Sequence, residues 1–169
     1  AYAPDGGYPE GPGYWNYGTM FNVILIDLLE GVIGTDFGLS GLPGFARTGV
    51  YIQEAYGPTA IPFNYADGWP GRNLPSTLFW FARRYGTPVD PLWRSRMAEA
   101  WRNRAAGTPR PTDVGTDRPV VGLLWLPPGA PEVPDGKVAL PLDWRDGGQV
   151  PVAVHRSAWG DPRALFVGV

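Results

Sequence analysis

Glycine and proline interrupt this chain at roughly every fourth residue, with 24 of one and 20 of the other among 169. That spacing restricts the chain to short, capped elements joined by many turns. By itself it would suit a disordered polypeptide, but apolar residues make up 44% and aromatic residues 14% of the sequence. This is ample material for a core, in a length that suits one ordinary domain or two small pieces.

Composition also excludes several kinds of partner. Lys and Arg number 14 against 16 Asp and Glu, a net charge of −2, so nothing neutralises a phosphate backbone and nucleic-acid binding is not expected. Cysteine is absent and histidine occurs once. Disulfide frameworks, thiol nucleophiles and Cys- or His-based metal sites therefore fall away, and no metal ligand is assigned. The most apolar run, Met20 to Val32, contains Asn22, Asp27, Glu30 and Gly31 and does not read as a membrane span. The chain opens in a Gly/Pro/Tyr-rich stretch and closes inside an expected strand, so we expect a piece of a longer protein.

Residues 1–15 read as a loop. A helix is expected from about Asn16 to Gly31, apolar on nearly all faces and so buried on most sides. Further helices are expected over Pro43–Tyr56, Pro75–Tyr85 and Pro91–Ala106. The last has Asp90 as N-cap and Pro91 in its first position. Its Trp93, Met97 and Trp101 form one stripe, with Arg94, Arg96, Arg102 and Arg104 on a solvated remainder. Residues 108–119 read as a linker. Beyond it, Val120–Leu126, Val138–Leu140, Val150–His155 and Ala164–Val169 read as short strands separated by turn signals. The fold class is therefore α+β, with helices over 1–107 and the start of an antiparallel β domain over 120–169.

The segment Asp5-Gly6-Gly7-Tyr8-Pro9-Glu10-Gly11-Pro12-Gly13-Tyr14-Trp15-Asn16-Tyr17-Gly18 sets phenols, a carboxylate and an amide ahead of an apolar helix. Its glycines permit close approach of a ligand. The plainer reading is a packed loop whose rings cover the helix end. A second loop carries Asn64, Tyr65, Asp67 and Trp69, whose aromatic faces and hydrogen-bonding groups suit a sugar. A packed loop between helices would carry the same residues.

These stretches resemble the heparinase II/III-like polysaccharide lyases. Asp5 to Gly18 is similar to the family's Asp-Gly…Glu-x-Pro-x-Tyr motif, and Phe63-Asn64-Tyr65-Ala66-Asp67-Gly68 to an Asn-aromatic-x-Asp-Gly loop. His155-Arg156-Ser157-Ala158-Trp159 resembles an Arg-Ser-x-Trp strand and turn. The resemblance implies the late part of an incomplete (α/α) toroid followed by strands that open a β-sandwich. It implies cleavage of a uronate-containing acidic polysaccharide, of glycosaminoglycan or alginate type, by β-elimination. Tyr14 falls on the catalytic tyrosine, with Tyr17 as the alternative phenol. Glu10, Trp15, Asn16, Tyr17, Asn64, Tyr65 and Asp67 are the expected substrate contacts. Glu10 has a second reading, as a carboxylate that steadies the helix start.

The family's carboxylate-neutralising Asn/His residues would lie before Ala1, and its His-Gly-His motif after Val169. The 169 residues alone are therefore expected to be inactive, with the remainder of the chain as partner. No cofactor is implied within them, and a metal ion, where bound, belongs downstream. A secreted or periplasmic location also comes from the resemblance. His155 reads as a structural strand residue and Arg156 as paired at an interface. The principal alternative is a non-catalytic glycan-binding protein on the same fold. A purely structural role, with exposed apolar surface marking a missing neighbour, and a hydrolase using Asp5 and Glu10 stand behind it.

Overall fold

A computed structural model describes residues 1–68, 74–108, 119–125 and 140–169. The chain is a mixed α+β structure, with helices α1 (Gly11–Ile33), α2 (Thr48–Glu54), α3 (Leu78–Tyr85) and α4 (Pro91–Ala105), and a single helical turn, α5, at Pro119–Gly122. An antiparallel sheet follows, in the order β1 (Asp143–Asp146), β2 (Val152–Arg156), β3 (Phe166–Gly168).

Helix α1 begins at Gly11, earlier than the expected Asn16. Gly-Pro-Gly looks like a loop, but proline is preorganised for a first helical turn, where its missing N–H costs nothing. Pro12 occupies that position. The helix passes through Gly31 and stops at Gly34, whose left-handed backbone (φ 83°) directs its N–H to the Glu30 carbonyl. Helix α3 closes the same way at Gly86. Helix α4 follows its sequence signals: the Asp90 carboxylate accepts from Leu92 N–H at 2.8 Å, with Pro91 at the first position.

Three expectations need correction. The segment 43–56 is not one helix: a 3-10 turn at Phe45–Arg47 leads into the short α2, because Gly44 takes φ 80° where the Tyr2 carbonyl presses on it. Over its described residues, 120–125, the run Val120–Leu126 is not a strand. Residues 119–122 form the α5 turn, and Gly122 sits so close to Ser76 and Met97 that an added Cβ would lie 3.1 Å from Ser76 Cβ. Trp125 is then buried and donates to Asp27. Finally, α1 is not covered on most sides. It buries Trp15, Met20, Val23 and Ile26 but leaves Tyr17, Phe21, Leu25, Leu28 and Val32 exposed along one face.

Val150–His155 and Ala164–Val169 do hold strands, as β2 and β3. Strand β1 lies where none was expected. Trp69, most of the expected linker, and Val138 and Ala139 lie outside the described residues.

The core is aromatic. Trp15 packs beside Tyr51 and Phe81, with ring centroids 6.5 and 6.2 Å away, and Phe45 meets Trp80 at 6.1 Å. Trp93 and Met97 of the α4 stripe are buried in the same cluster, with Trp101 against its margin. The sheet joins it directly. Trp144 of β1 pairs with Val154 and sets its ring 5.3 Å from that of Tyr51. Phe63 lies against Gly168 and Phe166 against Gly57, so both glycines leave room for a ring.

Candidate functional site

The Asp5–Tyr8 turn is held from three directions. Gly6 takes φ 100°, and an added Cβ would lie 2.7 Å from the backbone of Arg47 and Thr48. The Gly6 carbonyl accepts the Thr48 hydroxyl at 2.5 Å, and Thr48 Oγ1 accepts the Trp15 indole N–H at 2.6 Å. Gly7 abuts the Asp146 carboxylate, leaving no space for a Cβ. Asp146 is buried, and its carboxyl is raised above the usual range by burial, opposed by the backbone N–H groups of Gly148, Gly7 and Asp5. Tyr65 donates its hydroxyl to the Tyr8 carbonyl at 2.7 Å, and its oxygen lies 2.7 Å from the Tyr51 hydroxyl. The Asp-Gly-Gly signature is thus a docking turn for α2 and β1. Sequence reasoning missed its partners Thr48, Tyr51 and Asp146; the paired glycines were the only signal of a close approach there.

From this turn the chain enters α1. Gly11 needs φ 84° and has the Tyr65 carbonyl 2.8 Å from its would-be Cβ, with Gly68 beyond. The two stretches singled out in the sequence therefore meet at the start of α1. Around that junction Glu10, Tyr14, Asn64 and Asp67 are exposed, as is Tyr17 one turn further on. Tyr14 is 39% and Tyr17 49% exposed, on one side of the helix as their three-residue spacing requires. Glu10 stands at the N-cap without a side-chain cap hydrogen bond.

The other expected contacts are placed differently. Trp15 and Asn16 are buried because the earlier helix start turns them inward, so neither offers a surface to a ligand. Tyr65 is half-buried, with its hydroxyl engaged as above. Burial is the main cause that pushes its phenol up to about 12, and the Tyr8 phenol likewise to about 12; burial also raises Tyr51 well above its ordinary value. These three stay protonated at neutral pH and hold the turn in place. Tyr14 and Tyr17 are the segment's exposed phenols.

At the other end of the β1–β2 ladder Arg156 is buried. Its Nη2 donates to the carbonyls of Glu54 (2.9 Å) and Tyr56 (3.2 Å) at the end of α2, and lies 3.3 Å from Glu54 Oε2. The guanidinium stacks on Trp159, 3.5 Å from the ring centroid. It is paired, as its sequence context suggested, here with the end of α2. His155 faces outward on β2, its Nδ1 2.6 Å from Asp143 Oδ1 across the ladder.

Among the described residues no group of three or more His, Cys, Asp or Glu is arranged to hold a metal ion, and no helix is long and apolar enough to cross a membrane. No protein-family model matches the chain, and a search of the curated proteins finds no match.

Proposed function

We propose that these residues belong to a polysaccharide lyase that cleaves a uronate-containing acidic polysaccharide by β-elimination, with Tyr14 as general base and acid. The observation that carries the reading is the junction at the start of α1, where Gly11 meets Tyr65 and Gly68 of the neighbouring loop and Glu10, Tyr14, Asn64 and Asp67 of the two stretches are exposed. Both stretches were chosen on sequence alone, 50 or so residues apart, and their meeting is what a shared substrate groove requires.

The chemistry needs a phenol at the sugar. Tyr14 enters as the phenolate: its oxygen takes the C5 proton and becomes the phenol, the C5 electron pair forms the C4–C5 double bond, and the C4–O bond breaks. The same proton then passes from the phenol to the departing oxygen. The uronate carboxylate has to be neutralised while charge develops on it, a task this reading gives to groups elsewhere in a longer chain. Glu10, Asn64 and Asp67 hold sugar hydroxyls, and Tyr17 extends the aromatic wall. The rest of that chain covers the exposed face of α1, whose line of apolar side chains supports such a neighbour. A secreted or periplasmic setting goes with a polymeric glycan substrate.

The test is the ultraviolet absorbance of the unsaturated uronate, followed across a panel of acidic polysaccharides with the longer protein that carries these residues. Absorbance rising on at least one polymer is expected. Binding to a polymer without any rise would replace the lyase with a glycan-binding protein.

A further inference from the structure

A cavity of about 460 Å³ opens where the end of α2, the start of α4 and the turn after β2 meet, well inside the ~300–1,000 Å³ range of small-molecule sites. None of its lining residues belongs to the Asp5–Gly18 segment or the Asn64–Gly68 loop. It is a different place from the start of α1 that carries Tyr14.

Its walls combine two kinds of surface. Trp159 and Pro162 present apolar surface above a floor that contains the buried Trp93, while Arg156, Asp90 and Ser95 present polar edges. Trp159 is held rigidly: its indole N–H donates to the Pro141 carbonyl at 2.8 Å, and the Arg156 guanidinium stacks on its ring. Arg156 spends Nη2 on the end of α2, but its Nε is buried without a hydrogen-bond partner. A buried N–H left in that state costs on the order of 1–3 kcal/mol, and a ligand oxygen would recover it. Asp90 is buried as well, with Oδ1 engaged by Leu92 N–H.

The charge in and behind this wall is already weighted to the acidic side. One guanidinium is faced by two buried carboxylates, Glu54 against it and Asp90 beside it. An additional carboxylate would enter a poorly solvated place with no free cation to meet it. An uncharged ligand with hydroxyls on its edge and C–H groups on its face fits both surfaces.

We propose that this cavity binds a neutral pyranose, as a mono- or disaccharide, with its C–H face on the tryptophans and its hydroxyls on Arg156 Nε–H, Asp90 and Ser95. The site is independent of the elimination chemistry and stands or falls separately from it.

The test is a titration of the 169-residue chain with cellobiose and, in parallel, with digalacturonate, reading the indole N–H resonances of Trp93 and Trp159. A blocking variant, Ser95→Trp, is run beside it. Ser95 is exposed, and its hydroxyl bonds only within its own helix, to the Leu92 carbonyl, so the bulky replacement fills the mouth without disturbing the core. Saturable shifts at both indoles with cellobiose are expected, weakened about tenfold or more by digalacturonate replacement and by Ser95→Trp. Absence of shifts with cellobiose, shifts that persist in Ser95→Trp, or digalacturonate binding as tightly as cellobiose would each overturn the proposal.

Discussion

Asp146 and Arg156 end neighbouring strands, and each carries a buried charge into the helical part of the molecule, but their surroundings differ. Asp146 faces backbone N–H groups of the Asp5–Gly7 turn and Gly148, donors that are neutral and fixed by the fold, with the like charge of Asp5 opposing it. Arg156 faces a carboxylate and the carbonyls at the end of α2. Both Glu54 carboxylate oxygens lack a hydrogen-bond partner, as does Asp146 Oδ1. The first contact is shape and hydrogen bonding, and it locates the segment that bears Tyr14. The second is a desolvated ion pair, whose strength depends on which groups are charged.

Removing Arg156 breaks the comparison most severely. Arg156→Ala strips the end of α2 of its cap, uncovers Trp159 and leaves Glu54 buried alone. A loss of about 3–5 kcal/mol is expected by urea unfolding. Glu54→Leu in the same chain is expected to restore part of it, since the orphaned carboxyl is then gone.

The next effect is in the pH dependence. Burial raises Glu54 from 4.5 to about 7, against the opposing pull of Arg156 and with Asp143 adding repulsion. A carboxyl with a raised folded-state pKa stabilises fully below its unfolded pKa and loses that contribution as the pH climbs through the folded value. Stability is therefore expected to fall by up to about 3 kcal/mol between pH 4.5 and 8. Glu54→Gln flattens that slope. A slope unchanged in Glu54→Gln would place the titrating group elsewhere.

The Asp146 contact responds to shape instead. Gly7→Ala forces a methyl into the Asp146 carboxylate and is expected to cost about 1–3 kcal/mol. The loss should be nearly the same from pH 6 to 8, where the pair at Arg156 is titrating. A strong pH dependence of the Gly7→Ala loss would merge the two contacts into one electrostatic unit.

How much of this was legible in the sequence follows from the range of each interaction. Helix α4 was legible because its start depends on adjacent residues, Asp90 and Pro91. The start of α1 was misread because Gly11-Pro12-Gly13 has loop composition and helix-start chemistry together. Reading 11–15 as a loop gave Trp15 no helical position and hid the burial of Trp15 and Asn16. Strand β1 was missed because Asp-Trp-Arg-Asp has one apolar residue, and its reason to be a strand is Tyr51, far away in the chain. The Val120–Leu126 run was apolar without alternation, and Gly122 packing against Ser76 and Met97 decided it. At the candidate site, exposed Tyr14, Tyr17, Glu10, Asn64 and Asp67 were legible by residue type. The clamp beneath them was not, because Thr48, Tyr65 and Asp146 reach the turn from distant positions.

The most direct test of the central claim compares Tyr14→Phe with Tyr17→Phe in the elimination assay. Both rings are exposed, and urea unfolding of each variant is measured beside its rate so that a loss of fold is separated from a loss of chemistry. The account predicts that Tyr14→Phe lowers the rate of unsaturated-uronate formation by about 10²–10⁴-fold, while Tyr17→Phe stays within a few-fold. Equal rates for Tyr14→Phe and the parent, or a collapse confined to Tyr17→Phe, would contradict it.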